Sequence, residues 1–128
     1  MPQSKRLNMS RIRFIKHKDK DILLEDFSGL LPGHEYVVLL EEARRLIHSR
    51  PEGSVLALFD ASDAMFDDDV IGRMKEFTTS NKPYIKTSAV VGITGLRRIA
   101  LTAVSKFSGR DFKVFDTREE ALDWLAEQ

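Results

Sequence analysis

The chain has 128 residues, 42% of them apolar and 31% charged, with no net charge; this suits one globular domain with a buried core and excludes a disordered or fibrous chain. Cysteine is absent, which removes disulfides, thiolate metal sites and cysteine nucleophiles together and fits a reducing cytosol. No stretch approaches the roughly 18 apolar residues of a membrane span, so a cytoplasmic protein with no integral membrane segment is expected.

The neutral total conceals an asymmetry. Residues 1–20 hold seven Lys and Arg against one Asp, and the remainder holds thirteen against nineteen acids. The basic residues come without interleaved aromatics, so nucleic acid is not expected as a partner. Residues 1–10 read as a solvated basic tail and residues 11–128 as the domain.

RIRFIKH (11–17) has Ile12 and Phe14 on one face of a short strand; KDKD is a polar turn, and ILLEDF (22–27) is the second arm of a hairpin. SGLLPGHE is a loop broken by Pro32 and Gly33. From Glu35 to about His48, Tyr36, Leu39, Leu40, Ala43, Leu46 and Ile47 recur at helical spacing. The uncharged runs SVLALF (54–59) and SAVVGI (88–93) are buried strands. Between them Val70, Ile71, Met74 and Phe77 stripe a second helix that ends before Pro83. In a third, Leu96, Ile99, Ala100, Ala103, Val104 and Phe107 form the expected core stripe, with Thr94 as N-cap, Gly109 as stop, and Arg97, Arg98 and Lys106 outward. FKVFD (112–116) alternates as a strand, and a capping box from Thr117 to Glu120 opens a last helix, with Trp124 expected to cover the edge of the core. The order β-β-α-β-α-β-α-β-α predicts a single-domain α/β fold with a mixed, mainly parallel sheet flanked by helices.

DASDAMFDDDVIG (60–72) carries the densest charge in the chain. Successive helical residues point about 100° apart, so Asp67, Asp68 and Asp69 do not converge on one ion, and no calcium-loop spacing is present. A strand-to-helix turn would bring Asp60, Ser62 and Asp67 toward each other, and acidic strand ends bind magnesium in some α/β folds; capping by Asp67 or Asp68 explains the cluster more simply, and no metal is expected. Gly92 and Gly95 match neither phosphate-loop spacing, and tight packing of helix on sheet explains them equally well. His17, His34 and His48 lie outside any HExxH pattern, His48 suiting a helix C-terminus, and no GxSxG elbow is present. No catalytic residue, cofactor or enzymatic activity is expected.

The element order, the passage LALFDASDAMFDDDVIG and the closing FKVFDTREEALDWL together resemble the STAS domain family (sulfate transporter and anti-sigma factor antagonist), in its SpoIIAA-like or STAS/SEC14-like branch, over roughly residues 11–127. In anti-sigma factor antagonists this passage carries Asp-Ser-Ser-Gly at the start of the second helix, and a partner kinase phosphorylates the first serine. Here Asp67 matches the family aspartate, Asp68 and Asp69 stand where the serines would be, and Val70 where the glycine would be, so the acceptor hydroxyl is missing. The resemblance implies a regulatory docking module whose partner is a protein of the regulatory-kinase or sigma-factor-regulator kind. The expected surface comprises Asp60, Ser62, Asp67, Asp68, Asp69 and Arg73, with Arg97 and Arg98 beside it, and a homodimer is expected. The SEC14 side of the resemblance implies, as the alternative, an apolar or lipid-like ligand beneath a helix.

Overall fold

The structure, a computed structural model, describes residues 10–128, so nearly all of the expected basic tail lies outside it. Strand β1 (Ile12–His17) turns through Lys18 and Asp19 into β2 (Lys20–Asp26). Both turn residues have positive φ, 50° and 67°, the geometry of a two-residue hairpin whose twist matches its strands. Then come α1 (His34–His48), β3 (Val55–Asp60), α2 (Asp68–Asn81), a 3-10 turn at Lys82–Tyr84, β4 (Ile85–Val91), α3 (Leu96–Ser108), β5 (Lys113–Phe115) and α4 (Arg118–Ala126).

The five strands lie in sequence order, β1 antiparallel to β2 and every later pair parallel. With right-handed crossovers, strands added always on the same side place their helices on one face. That face packs Leu23, Ala57, Phe59 and Val90 against Tyr36, Leu40, Ala43 and Ile47 of α1, Val70, Met74 and Phe77 of α2, and Val104 of α3. The opposite face, with Ile22, Leu24, Leu56, Leu58, Ala89 and Val91, is covered by α4 through Ala121 and Leu125. Trp124 joins this second layer 5.5 Å from Phe115, at the edge of the core as expected.

Three expectations need correction. Ala100, Val104 and Ser108 are the buried residues of α3, whereas Leu96, Ile99 and Phe107 are 82%, 68% and 61% exposed. The buried arc is rotated by roughly 70° from the centre of the apolar stripe. Thr94 is not the N-cap of α3: Gly95, at φ 58°, takes that place, and the Thr94 hydroxyl accepts from Arg97 Nη2 at 3.1 Å. His48 also does more than sit at a helix end, stacking on Tyr84 at 4.2 Å with Nε2 3.1 Å from Asn81 Oδ1.

Candidate functional site

The segment from Asp60 to Asp67 leaves β3 at the carboxyl edge of the parallel strands, where open α/β sheets usually place their working groups. Its backbone is fastened on several sides. Ala61 N donates to Val91 O at 2.9 Å, Gly29 N to Ser62 O at 2.8 Å, and Met65 N to Leu30 O at 2.9 Å. The buried Tyr36 hydroxyl donates to Met65 O at 2.9 Å, and desolvation of this phenol, reinforced by the Asp67 charge, pushes its pKa up to about 12. Arg97 closes the arrangement, donating from Nε to Gly92 O at 2.7 Å and from Nη1 to Ala64 O at 3.2 Å. Gly92 adopts φ +79° under Ser62, and a Cβ there would lie 2.5 Å from Ser62 Cα and closer still to its nitrogen.

The residues expected on this surface divide by task. Asp60, 5% exposed, accepts from Ser62 N at 2.9 Å through Oδ1 and from Arg118 Nε at 2.6 Å through Oδ2. Arg118, at the start of α4, also reaches Asp26 at 3.1 Å. Burial raises the Asp26 pKa, but hydrogen bonds from the Ser28 hydroxyl and amide together with Arg118 outweigh it and hold the carboxyl below its ordinary value. Asp60 and Arg118 thus tie the strand ends to α4. Ser62 is half-buried beneath Gly92. Asp67 is the N-cap of α2, its Oδ1 accepting from Val70 N at 2.8 Å. Asp69 pairs with Arg73 at 2.8 Å one turn on, an exposed contact of small energetic weight. Arg97 is half-buried by its three hydrogen bonds, whereas Asp68 and Arg98 are exposed. Among the described residues no three His, Asp or Glu side chains gather closely enough to hold a metal ion.

Asp67→Ala is expected to remove the cap and cost about 1 kcal/mol, while Asp68→Ala leaves stability nearly unchanged. Urea midpoints of the two variants check this, and equal losses would remove the distinction.

Beside the aspartates runs a surface groove of about 560 Å³, floored by Phe66, Ile71 and Ala100 and rimmed by Met65, Leu96 and Ile99. Met65 is 57% exposed, and Leu31 beside it in the loop below is 64% exposed. Exposed apolar side chains that gather in this way mark a contact surface. Sequence reasoning assigned Leu96 and Ile99 to the core and passed over Met65. The available signal was the width of the α3 apolar arc, broader than one sheet-facing stripe needs.

A fastened loop at the carboxyl edge of a five-stranded mixed sheet, leading to a capped helix and an apolar groove, makes this a small α/β domain with its working edge between β3 and α2. The sequence profile of the SpoIIAA-like family matches residues 15–126, and the chain belongs to that family. Among solved structures, an uncharacterised protein of the DUF3478 family with a SpoIIAA-like fold, from Shewanella loihica PV-4, superposes with a TM-score of 0.71 at 21% identity, covering 89% of this chain and 91% of that one. No curated protein matches the chain.

Proposed function

We propose that the protein is a non-enzymatic regulatory module that docks a protein partner through the groove between the 64–71 segment and α3. The observation that carries this is the exposure of Met65, Leu96 and Ile99 around one groove beside the Asp67–Asp69 helix start. Its apolar rim supplies contact area, and Asp68 and Arg98, both exposed, select a partner of matching charge. By resemblance to anti-sigma factor antagonists, Asp68 stands in the place of the phosphorylated serine. It offers a permanent negative charge, smaller than the −1.5 to −2 of a phosphoserine, so docking here is not switched by phosphorylation.

The alternative, a carrier of lipid-like ligands, has less support. The cavity beneath α2 and α3 holds about 50 Å³, far below the ~300 Å³ at which ordinary ligand pockets begin.

The test is affinity capture with quantitative comparison of wild type, Ile99→Glu and Asp68→Lys. A protein retained stoichiometrically by wild type, lost by roughly tenfold or more in Ile99→Glu and weakened by added salt in wild type alone, is the expected result. Equal retention by all three would remove the groove from the function. A concentration-dependent homodimer disrupted by Ile99→Glu, with no other protein captured, would replace the partner with a second copy.

A further inference from the structure

The apolar exposure of α3 runs past the docking groove. Leu96, Ile99, Ala103 and Phe107 follow one another at steps of three, four and four residues, so they form one seam along the helix, about 16 Å long. Leu96, Ile99 and Phe107 are each more than half exposed, and the small Ala103 sits among them. The groove reaches as far as Ala103, and Phe107 lies one turn beyond its lining.

The side of α2 that faces this seam carries opposite charges at its two ends. Asp68, Ile71 and Lys75 fall on one face of α2 by their spacing. Phe66, two residues before Asp68, lines the groove together with Leu96, and so does Ile71. Lys75 Nζ stands 5.5 Å from the centre of the Phe107 ring. The exposed Asp68 is therefore at the Leu96 end of the seam, and Lys75 and the exposed Lys106 are at the Phe107 end. Arg98 follows Leu96 by two residues and so belongs to the other flank of α3. Asp68, Lys75 and Lys106 make no ion pair among the described residues.

An acid at one end, a base at the other and an apolar seam between them make a surface that complements itself when turned end for end about a two-fold axis. In that contact Leu96 meets Phe107 of the second copy, and Ala103 near the axis lets the two helices approach. Asp68 meets Lys106 of the second copy, and the symmetry makes this pair twice. A foreign partner would need only to complement the pattern; it would not need the pattern to complement itself.

We propose that the α3 seam pairs antiparallel with that of a second copy, so that the chain covers its own groove as a weak homodimer and docks its foreign partner as a monomer. The inference rests on the reading of the groove as a contact surface and adds what regulates access to it. Four seam residues a side place the contact at the small end of specific interfaces, and a dissociation constant on the order of ten micromolar is expected. Protein concentration then sets the fraction of chains whose groove is open.

Sedimentation equilibrium of the full chain over about a hundredfold range of concentration around that value is the test. Phe107→Glu, outside the groove, is expected to raise the dissociation constant about tenfold or more while partner capture persists. Asp68→Lys and Lys106→Asp should each weaken the dimer about fivefold, and the double variant should restore it to within about threefold of wild type. Neither an unrelated contact nor a folding defect produces that rescue. A monomer at every concentration, a dimer indifferent to Phe107→Glu, or a double variant no tighter than the single ones would each overturn the proposal. The docking reading would then be decided separately, by the effect of Ile99→Glu on partner capture.

Discussion

Glutamine in place of Glu25 is expected to level the pH dependence of stability between about pH 5 and pH 9, a range over which the wild-type chain should weaken as Glu25 ionises. Glu25 sits on β2 opposite Ile12 and Phe59, with its side chain turned toward the helix-covered face. Burial there penalises the carboxylate, lifting its pKa from 4.5 to about 8, while the charge of Arg110 lowers it by a smaller amount. A folded-state pKa raised above the unfolded one means that the folded chain binds the proton more tightly. The stabilisation is complete below about pH 4.5 and is lost as pH rises through about 8. A shift from 4.5 to about 8 corresponds to at most about 5 kcal/mol. Glutamine keeps the shape of the protonated acid and has no proton to lose. The variant should match wild type near pH 5 and exceed it by several kcal/mol near pH 9. Urea unfolding of both proteins across this range measures the divergence. Parallel curves would mean that Glu25 does not titrate in this window.

Alanine at Gly92 is expected to be nearly as damaging, by a different route. Gly92 follows β4 with φ +79°, a conformation that costs an L residue about 1 kcal/mol on its own. The added methyl would also run into the backbone of Ser62, which is held from the other side by Asp60 Oδ1 and by Gly29 N. Neither side has a flexible end that yields. A loss of about 3 kcal/mol or more is expected, as for other close-packed backbone sites. The damage should extend to the groove, because Gly92 O and Ala64 O are bridged by Arg97. Thermal unfolding measures the first effect and partner capture the second. A stable Gly92→Ala protein with unchanged capture would show that this contact does not position the groove.

The elements were readable because each announces itself locally. Alternation marks the hairpin, uncharged runs mark β3 and β4, and Gly109 at φ 67° and Thr117, accepting from Glu120 N, close α3 and open α4 where the residue types foretell it. Asp67 as the cap of α2 follows the same logic. The site was harder. Asp60 and Asp67 sit seven residues apart in sequence, yet one is committed to Arg118 and the other to a helix amide. Leu96 and Ile99 look like core residues in any local window, because the window does not reveal which neighbours cover them.

Glu25 left one trace. It stands at i+2 from Leu23 and i−2 from Phe27, so a strand with that register turns its carboxyl inward with two core residues. Nothing in ILLEDF names the guanidinium it will meet, since Arg110 arrives from 85 positions later in the chain.

Composition, periodicity and caps therefore determine the class of fold, the order of its elements and the residues that open α2 and α4 and close α3, because each depends on interactions within a few positions. Which apolar side chains remain uncovered, which aspartates are spent on arginines, and which acid shares a cavity with a distant base were settled only when the sheet assembled. Those are contacts between segments far apart in the chain, and in this protein they build both the apolar surface groove and the small cavity beneath it.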